Sequence, residues 1–279
     1  MKILWKNQIV ERDTVKIDIE DRAYQYGDGL YEAIRIYHSE MFMFDEHFDR
    51  LARCAKEIRL ELPFSRNELK ENLEKLIALE KITEGEAYLQ VSRGIKSPRN
   101  HLIPLPGTVE AILTANVIPI KRDIESQEKG HTACIVEDQR WLHCNIKSLS
   151  LLGNVLSLNE AVEQGYDDAL LVRNGFFTEA SASNLWFVID GKLYTHEDGN
   201  LVLPGITKMK LREIARELDI QIIEKAVPVT KLDQIEECFA SNSIHEVTPI
   251  VSINEIPVKD GKRGPITKLL LEKYIEATI

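Results

Sequence analysis

Apolar and polar residues first alternate in short runs. Ile3 to Val10 alternates about Lys6-Asn7, and Glu32 to Tyr37 with Glu40 to Phe44 alternates about His38-Ser39, so each stretch predicts a hairpin. From Asp45 the period lengthens. Phe48, Leu51, Ala52, Ala55 and Ile58 share one helical face, with Asp45 placed to cap it and Arg50 off the apolar stripe, where a charge is usually solvated. Ser65 followed by Glu68 predicts a capping box opening a second helix to about Leu79. Alternation returns at Glu86 to Gly94 and Val109 to Val117, which completes a first domain of strands with helices on one side. Between Ile118 and Gly130 the apolar period is lost and charge accumulates, so we expect domains at 1–118 and 131–279 joined by a linker at 119–130.

The second domain opens with a strand at Thr132 to Val136. Leu149, Leu152, Val155 and Leu156 then predict a helix that Lys147 opens and that continues to about Gln164. Ala169 to Val172 and Leu185 to Ile189 read as apolar strands, and Asp190-Gly191 predicts a hairpin into Lys192 to Thr195. Gly205-Ile206-Thr207 begins an amphipathic helix with Thr207 as its cap. Strands at Cys238 to Ala240 and Val247 to Ile253 and a helix at Ile266 to Ile275 close the chain. The mixture predicts an α+β or α/β class.

Composition narrows the function. With 279 residues, 44% hydrophobic and 29% charged, the chain can bury roughly 75% of its unfolded surface as two ordered, soluble domains. A formal net charge of −10 argues against nucleic acid or an anionic membrane as partner, since both call for concentrated Lys and Arg. Small molecules fit better. No segment approaches the ~20 apolar residues of a membrane span, and Met1 to Val10 has no apolar core of a signal peptide, so a cytoplasmic protein is expected. The four cysteines (Cys54, Cys134, Cys144, Cys238) are scattered, and the seven His show no ligand spacing; neither disulfides nor a metal is expected.

Some residues invite chemistry. Lys147, between a polar Trp-bearing segment and an apolar run, is placed for partial desolvation, which favours the neutral, nucleophilic amine; a lysine snorkelling from a first helical turn is the plainer alternative. Gly27-Asp28-Gly29 lacks the third glycine of a dinucleotide fingerprint and leads into a strand, so a nicotinamide site is rejected. Arg99 and His101, two apart in a Pro-bounded loop, can converge on an anion, although an exposed turn is the plainer reading of the residues alone. Glu179 sits among small residues, and the helix start at Ile206-Thr207 is a natural phosphate cradle.

The wording around these residues carries more. Arg140-Trp141-Leu142-His143-Cys144-Asn145-Ile146-Lys147-Ser148-Leu149-Ser150-Leu151-Leu152-Gly153-Asn154, then Thr178-Glu179-Ala180-Ser181-Ala182-Ser183-Asn184, then Leu203-Pro204-Gly205-Ile206-Thr207, resemble in order and approximate spacing the fold-type IV enzymes that use pyridoxal 5'-phosphate (PLP), and within them the D-amino-acid aminotransferases. The resemblance implies a small N-terminal α/β domain and a larger C-terminal pseudo-barrel that binds PLP. It implies transamination between D-amino acids (D-alanine, D-glutamate) and 2-oxo acids (pyruvate, 2-oxoglutarate), with Lys147 as Schiff-base lysine and proton carrier. Glu179 is implied to bond the pyridine nitrogen, and Arg50, Ile206, Thr207 and Ser243 to hold the phosphate. Relatives usually carry Thr at the position of Ser243, which keeps the hydroxyl donor, and some carry Ser at the position of Ala182. Tyr31, Arg99 and His101 are implied to trap the substrate carboxylate, with the Arg99 loop entering the neighbouring site of a homodimer. A branched-chain L-aminotransferase and an aminodeoxychorismate lyase share the fold and stay open as alternatives. A non-catalytic PLP-binding protein is weighed against because it has no use for a carboxylate trap.

Overall fold

The alternating runs of the first third become strands β1 (Lys2–Trp5), β2 (Gln8–Glu11), β3 (Gly29–Tyr37) and β4 (Glu40–Met41). A five-residue helix, α1 (Arg22–Tyr26), precedes β3; α2 (Phe44–Glu57) and α3 (Arg66–Glu80) lead to β5 (Gly85–Ser92) and β6 (Ile112–Pro119). The computed structural model describes residues 1–279. They fall into two units: Met1–Lys121 with Ile146–Ser150, and Arg122–Asn145 with Leu151–Ile279.

In the first unit the strands form one sheet in the order β2-β1-β6-β5-β3-β4, antiparallel throughout. Strand parity sorts its two faces. Leu30, Ile34, Leu89 and Leu113 join Leu51 of α2 and Leu73 and Leu76 of α3 in one buried cluster, and each such side chain contributes about 1.5–3 kcal/mol on burial. Tyr31, Arg35, Glu86 and Tyr88 have the opposite parity. The Ser65–Glu68 capping box forms as predicted. Asp45, in contrast, does not cap α2: Met43 holds the N-cap in a left-handed conformation (φ 54), and the Asp45 carboxylate accepts from Arg66 Nη1 at 2.8 Å. The competing cation has drawn it away.

The second unit begins with α4 (Ile124–Lys129), a helix in a stretch whose charge hides any apolar period; Asp123 caps it by accepting from Ser126 N. Then follow β7 (His131–Glu137), α5 (Leu152–Glu163), β8 (Asp168–Arg173), β9 (Phe176–Ala180), β10 (Asn184–Ile189) and β11 (Lys192–Thr195). α6 (Ile206–Glu217), β12 (Ile222–Glu224), β13 (Glu237–Asn242), β14 (Glu246–Ile253), β15 (Ile256–Pro257) and α7 (Pro265–Glu276) complete it. Nine strands make one sheet, running β12-β11-β10-β13-β14-β7-β8-β9, with β15 on β14. Pairing of Glu179 with Asn184 joins β9 back to β10. The sheet therefore closes on itself as the expected pseudo-barrel, around Leu170, Phe177, Leu185, Phe187 and Ile250. The Asp190-Gly191 turn has φ 50 and φ 68 at its two residues, the two positive values that a two-residue hairpin of matching twist demands.

Candidate active site

Lys147 does not open a helix. α5 starts at Leu152, and Leu152, Val155 and Leu156 are 70%, 51% and 61% exposed, so the apolar run does not point into a core. The backbone explains why. Tyr31 N donates to Lys147 O at 3.1 Å, Leu149 N donates to Gly29 O at 3.0 Å, and Leu30 and Ser148 form a bridge between them. A residue whose carbonyl is held by a strand more than a hundred positions away is not available to nucleate a helix. Ile146 is buried in the first unit's core, and Lys147 N points at Cys54 Sγ, 3.4 Å away. The close approach depends on Gly29, where a Cβ would fall 2.5 Å from Val91 O and 2.7 Å from Leu149 Cδ1. The anchored Lys147 lays its amine on the face of Tyr31, with Nζ 4.1 Å from the ring centroid.

Beside Tyr31 lies a group that the apolar pattern conceals. Glu32, 1% exposed, accepts from Arg50 Nε at 2.8 Å and Arg50 Nη2 at 2.7 Å, and meets His47 Nδ1 at 2.7 Å. Because the carboxylate can only accept, His47 Nδ1 carries the proton. Burial opposes the Glu32 charge, but Arg50 and His47 outweigh it and bring the carboxyl down to about 2. Burial likewise lowers His47, which favours its neutral form. Arg50 is thus buried and forked onto Glu32 rather than solvated. The sequence signal was available: Glu32 has the parity of Leu30 and Ile34, and a carboxylate on an inward strand position needs a buried cation.

Arg99 and His101 meet over a different aromatic ring. Arg99 Cζ lies 4.4 Å from the Tyr26 centroid, and the His101 ring lies 5.4 Å from it. Tyr31 instead has Lys147 and, at 6.0 Å, Tyr88. Burial, with Tyr31 and Glu86 nearby, pushes the Tyr88 hydroxyl up to about 12, so it is a neutral donor at physiological pH.

In the second unit Glu179 is the centre. It lies 5% exposed on β9 and accepts three hydrogen bonds: Arg140 Nη1 at 2.6 Å, Asn184 Nδ2 at 2.8 Å and Leu203 N at 2.9 Å. Burial pushes the Glu179 carboxyl up while Arg140 pulls against it. Burial works against Arg140 as well, yet Asp138 and Glu179 outweigh it and hold the guanidinium charged. Asp138 fixes that cation through Arg140 Nε and Nη2, both at 2.9 Å. Asp138, Arg140 and Asn184 stood in the sequence only as members of quoted stretches, with no role of their own; the polar contacts they make become legible once β9 and β10 pair.

Asn184 also reaches α6. Its Nδ2 donates to Leu203 O at 2.8 Å, and a Cβ on Gly205 would fall 2.0 Å from its Oδ1. Gly205, not Thr207, is the N-cap, and no side chain caps the helix. Thr207 is inside the first turn, its hydroxyl 3.4 Å from Tyr274 Oη. The first amides of α6 therefore have no intrahelical acceptor, which is what a phosphate needs. Ser243 lies in a turn ordered by Asn242, whose Oδ1 accepts from Ile244 N at 2.9 Å and His245 N at 2.7 Å. An uncapped helix start and a buried, three-fold bonded carboxylate fit the phosphate and the ring nitrogen of PLP.

The second unit thus has a closed nine-stranded sheet, a buried carboxylate and an uncapped helix start, and the first unit a lysine braced on β3. Residues 29–253 match the class IV aminotransferase family, and the chain belongs to it. D-alanine aminotransferase of Listeria monocytogenes is 45% identical over 276 residues, covering 99% of this chain and 96% of that protein. The D-alanine aminotransferase of Bacillus licheniformis is 40% identical over 268 residues, covering 96% and 94%. Among solved structures, the Escherichia coli branched-chain amino acid aminotransferase aligns with a TM-score of 0.92 at 26% identity, covering 99% of this chain and 93% of that one. The branched-chain amino acid aminotransferase of the archaeon Thermoproteus uzoniensis, solved with norvaline, aligns at 0.89 with 26% identity, covering 100% and 94%.

The Glu32 cluster predicts a pH dependence. The folded-state carboxyl is depressed from 4.5 to about 2, so its charged form stabilises the fold above the ordinary value, and that contribution is lost as pH falls toward 2. Glu32→Gln should cost about 3–5 kcal/mol at pH 7 by removing the buried carboxylate that Arg50 and His47 share, and should flatten the stability slope between these limits. Urea unfolding at stepped pH reads both; an unchanged acid slope would remove Glu32 as its source.

Proposed function

We propose that the chain transfers the amino group of D-alanine or D-glutamate to 2-oxo acids such as pyruvate and 2-oxoglutarate. One observation carries the substrate hand: relatives named D-alanine aminotransferase are 40–45% identical across nearly the whole chain, whereas the branched-chain neighbours in structure are 24–27% identical. When bound, PLP would supply the electron sink that transamination needs.

In this reading each residue has a task that its surroundings suit. Lys147 would hold the cofactor through Nζ and, with Nζ free, would take up and return the substrate's Cα proton; its braced backbone limits the arc over which Nζ swings. Glu179 keeps the ring nitrogen protonated, with Arg140, Asn184 and Leu203 N aiming its oxygens. The amides of Ile206 and Thr207, the Ser243 hydroxyl and the Arg50 guanidinium take the phosphate. Arg99, His101 and Tyr31 receive the substrate carboxylate, and the hand of the substrate follows from which face of Cα this leaves toward Lys147.

The reading includes a homodimer that shares its sites and a cytoplasmic location, to be checked by cell fractionation. Leu102 and Leu105, beside the Arg99 loop, are 78% and 75% exposed, a surface that suits burial against a second copy. Mixing inactive Lys147→Ala and Arg99→Ala chains should restore about a quarter of wild-type activity, because half of randomly paired dimers carry one intact site. A subunit-exchanged mixture as inactive as its parents would place lysine and arginine in the same chain's site.

With 2-oxoglutarate as acceptor, D-alanine should yield pyruvate and L-alanine should not, and Lys147→Ala should lower the rate by at least about a thousandfold while remaining folded. Turnover of L-leucine or L-valine in place of D-alanine would instead select the branched-chain alternative that the structural neighbours represent.

A further inference from the structure

The loop that carries Arg99 and His101 is exposed, and an exposed arginine ordinarily samples many rotamers before it grips an anion. Here it does not stand alone. α1, which no motif marked, presents Tyr26 to it. Two guanidiniums stand on the Tyr26 ring, Arg99 at 4.4 Å and Arg22 at 4.8 Å, and His101 tilts against the same ring at 5.4 Å. Arg22 is itself pinned: its Nε donates to Asp28 Oδ2 at 2.7 Å and its Nη1 to Asn100 O at 2.9 Å, inside the loop. Asp28 is held from the other side by Arg93 Nε at 2.8 Å. The Tyr26 hydroxyl is buried and has no hydrogen-bond partner, so whatever the residue does, its ring does it.

We infer that Tyr26 is a positioning residue for the carboxylate trap: its ring orders Arg99 and His101 in the free enzyme, and the platform under it is α1 with Arg22. The ring's negative face attracts a guanidinium without consuming its N–H donors, so Arg99 is oriented while its fork stays free for a carboxylate. The same segment reaches the lysine. Gly27, which ends α1 in a left-handed conformation (φ 66), accepts from Ser150 Oγ at 3.4 Å, and two residues later Gly29 accepts from Leu149 N. One stretch, residues 22–31, thereby braces both the anion loop and the Lys147 segment.

This inference rests on the carboxylate-trap reading, and the test separates the two. The holoenzyme carrying Tyr26→Leu, Tyr26→Met or Tyr26→Phe is measured by amide hydrogen exchange across residues 97–103 and by steady-state kinetics with D-alanine and 2-oxoglutarate. Leu and Met remove the ring face and should speed exchange in that loop, raising both KM values about three- to tenfold with kcat within about twofold. Phe keeps the face and should hold exchange and KM near wild type. Unchanged exchange in the Leu and Met variants, a Phe variant as impaired as Leu, or a fall in kcat at constant KM would each overturn the role given to the ring. If the wild type turns over neither D-alanine nor any other amino acid, the trap reading fails, and the exchange data alone still decide whether Tyr26 holds the loop.

Discussion

Two backbone hydrogen bonds decide where the Lys147 amine stands. Tyr31 N to Lys147 O and Leu149 N to Gly29 O splice residues 146–150 onto the start of β3, although both flanks of that pentapeptide belong to the other unit of the chain. A lysine fixed at its Cα by a neighbouring strand has only its own four-carbon stem to move, and Tyr31 gives the end of that stem a resting place. The strand contributes on its other face too. Glu32, next in sequence, ties β3 to α2 through Arg50 and His47, so neighbouring residues of one strand brace Lys147 and the core.

The second unit solves a different electrostatic problem. A carboxylate buried on a barrel strand would tend to take up a proton; Arg140, Asn184 and Leu203 N each donate to Glu179 and oppose that tendency. Asp138 in turn neutralises Arg140. The chain of buried charges is long because each member added to hold the previous one must itself be held. The same Asn184 touches Leu203 and crowds Gly205, and so couples the carboxylate to the uncapped start of α6.

Much of this was legible in the residues. The hairpins, the capping box at Ser65, the Asp190-Gly191 turn and most strands of the second sheet follow from local period and turn chemistry, and the motif wording pointed to the family; β9, which closes that sheet and carries Glu179, was not read as a strand. What escaped was non-local. Lys147 reads as the start of a helix because its apolar followers recur at helical spacing; the carbonyl that would begin that helix is taken by Tyr31, 116 positions earlier by the numbering. Asp45 reads as a cap, and Arg66 takes it. Thr207 reads as a cap, and Gly205 fits there because Asn184 leaves no space for a Cβ. Tyr26 carries no motif at all, and only the loop folded over α1 shows what its ring touches.

The central claim is that Lys147 is the amine that holds the cofactor. The protein has one fully buried lysine, Lys208, 1% exposed and donating to His196 O at 2.6 Å and Asp198 Oδ1 at 2.9 Å, which makes a fair internal competitor. Reduction of the PLP-loaded protein with borohydride fixes the cofactor to whichever amine holds it, and peptide mass mapping then reads the position. The account predicts one pyridoxyl adduct, on Lys147, in the tryptic peptide that begins at Trp141. An adduct on Lys208 or any other lysine, with Lys147 unmodified, would contradict it.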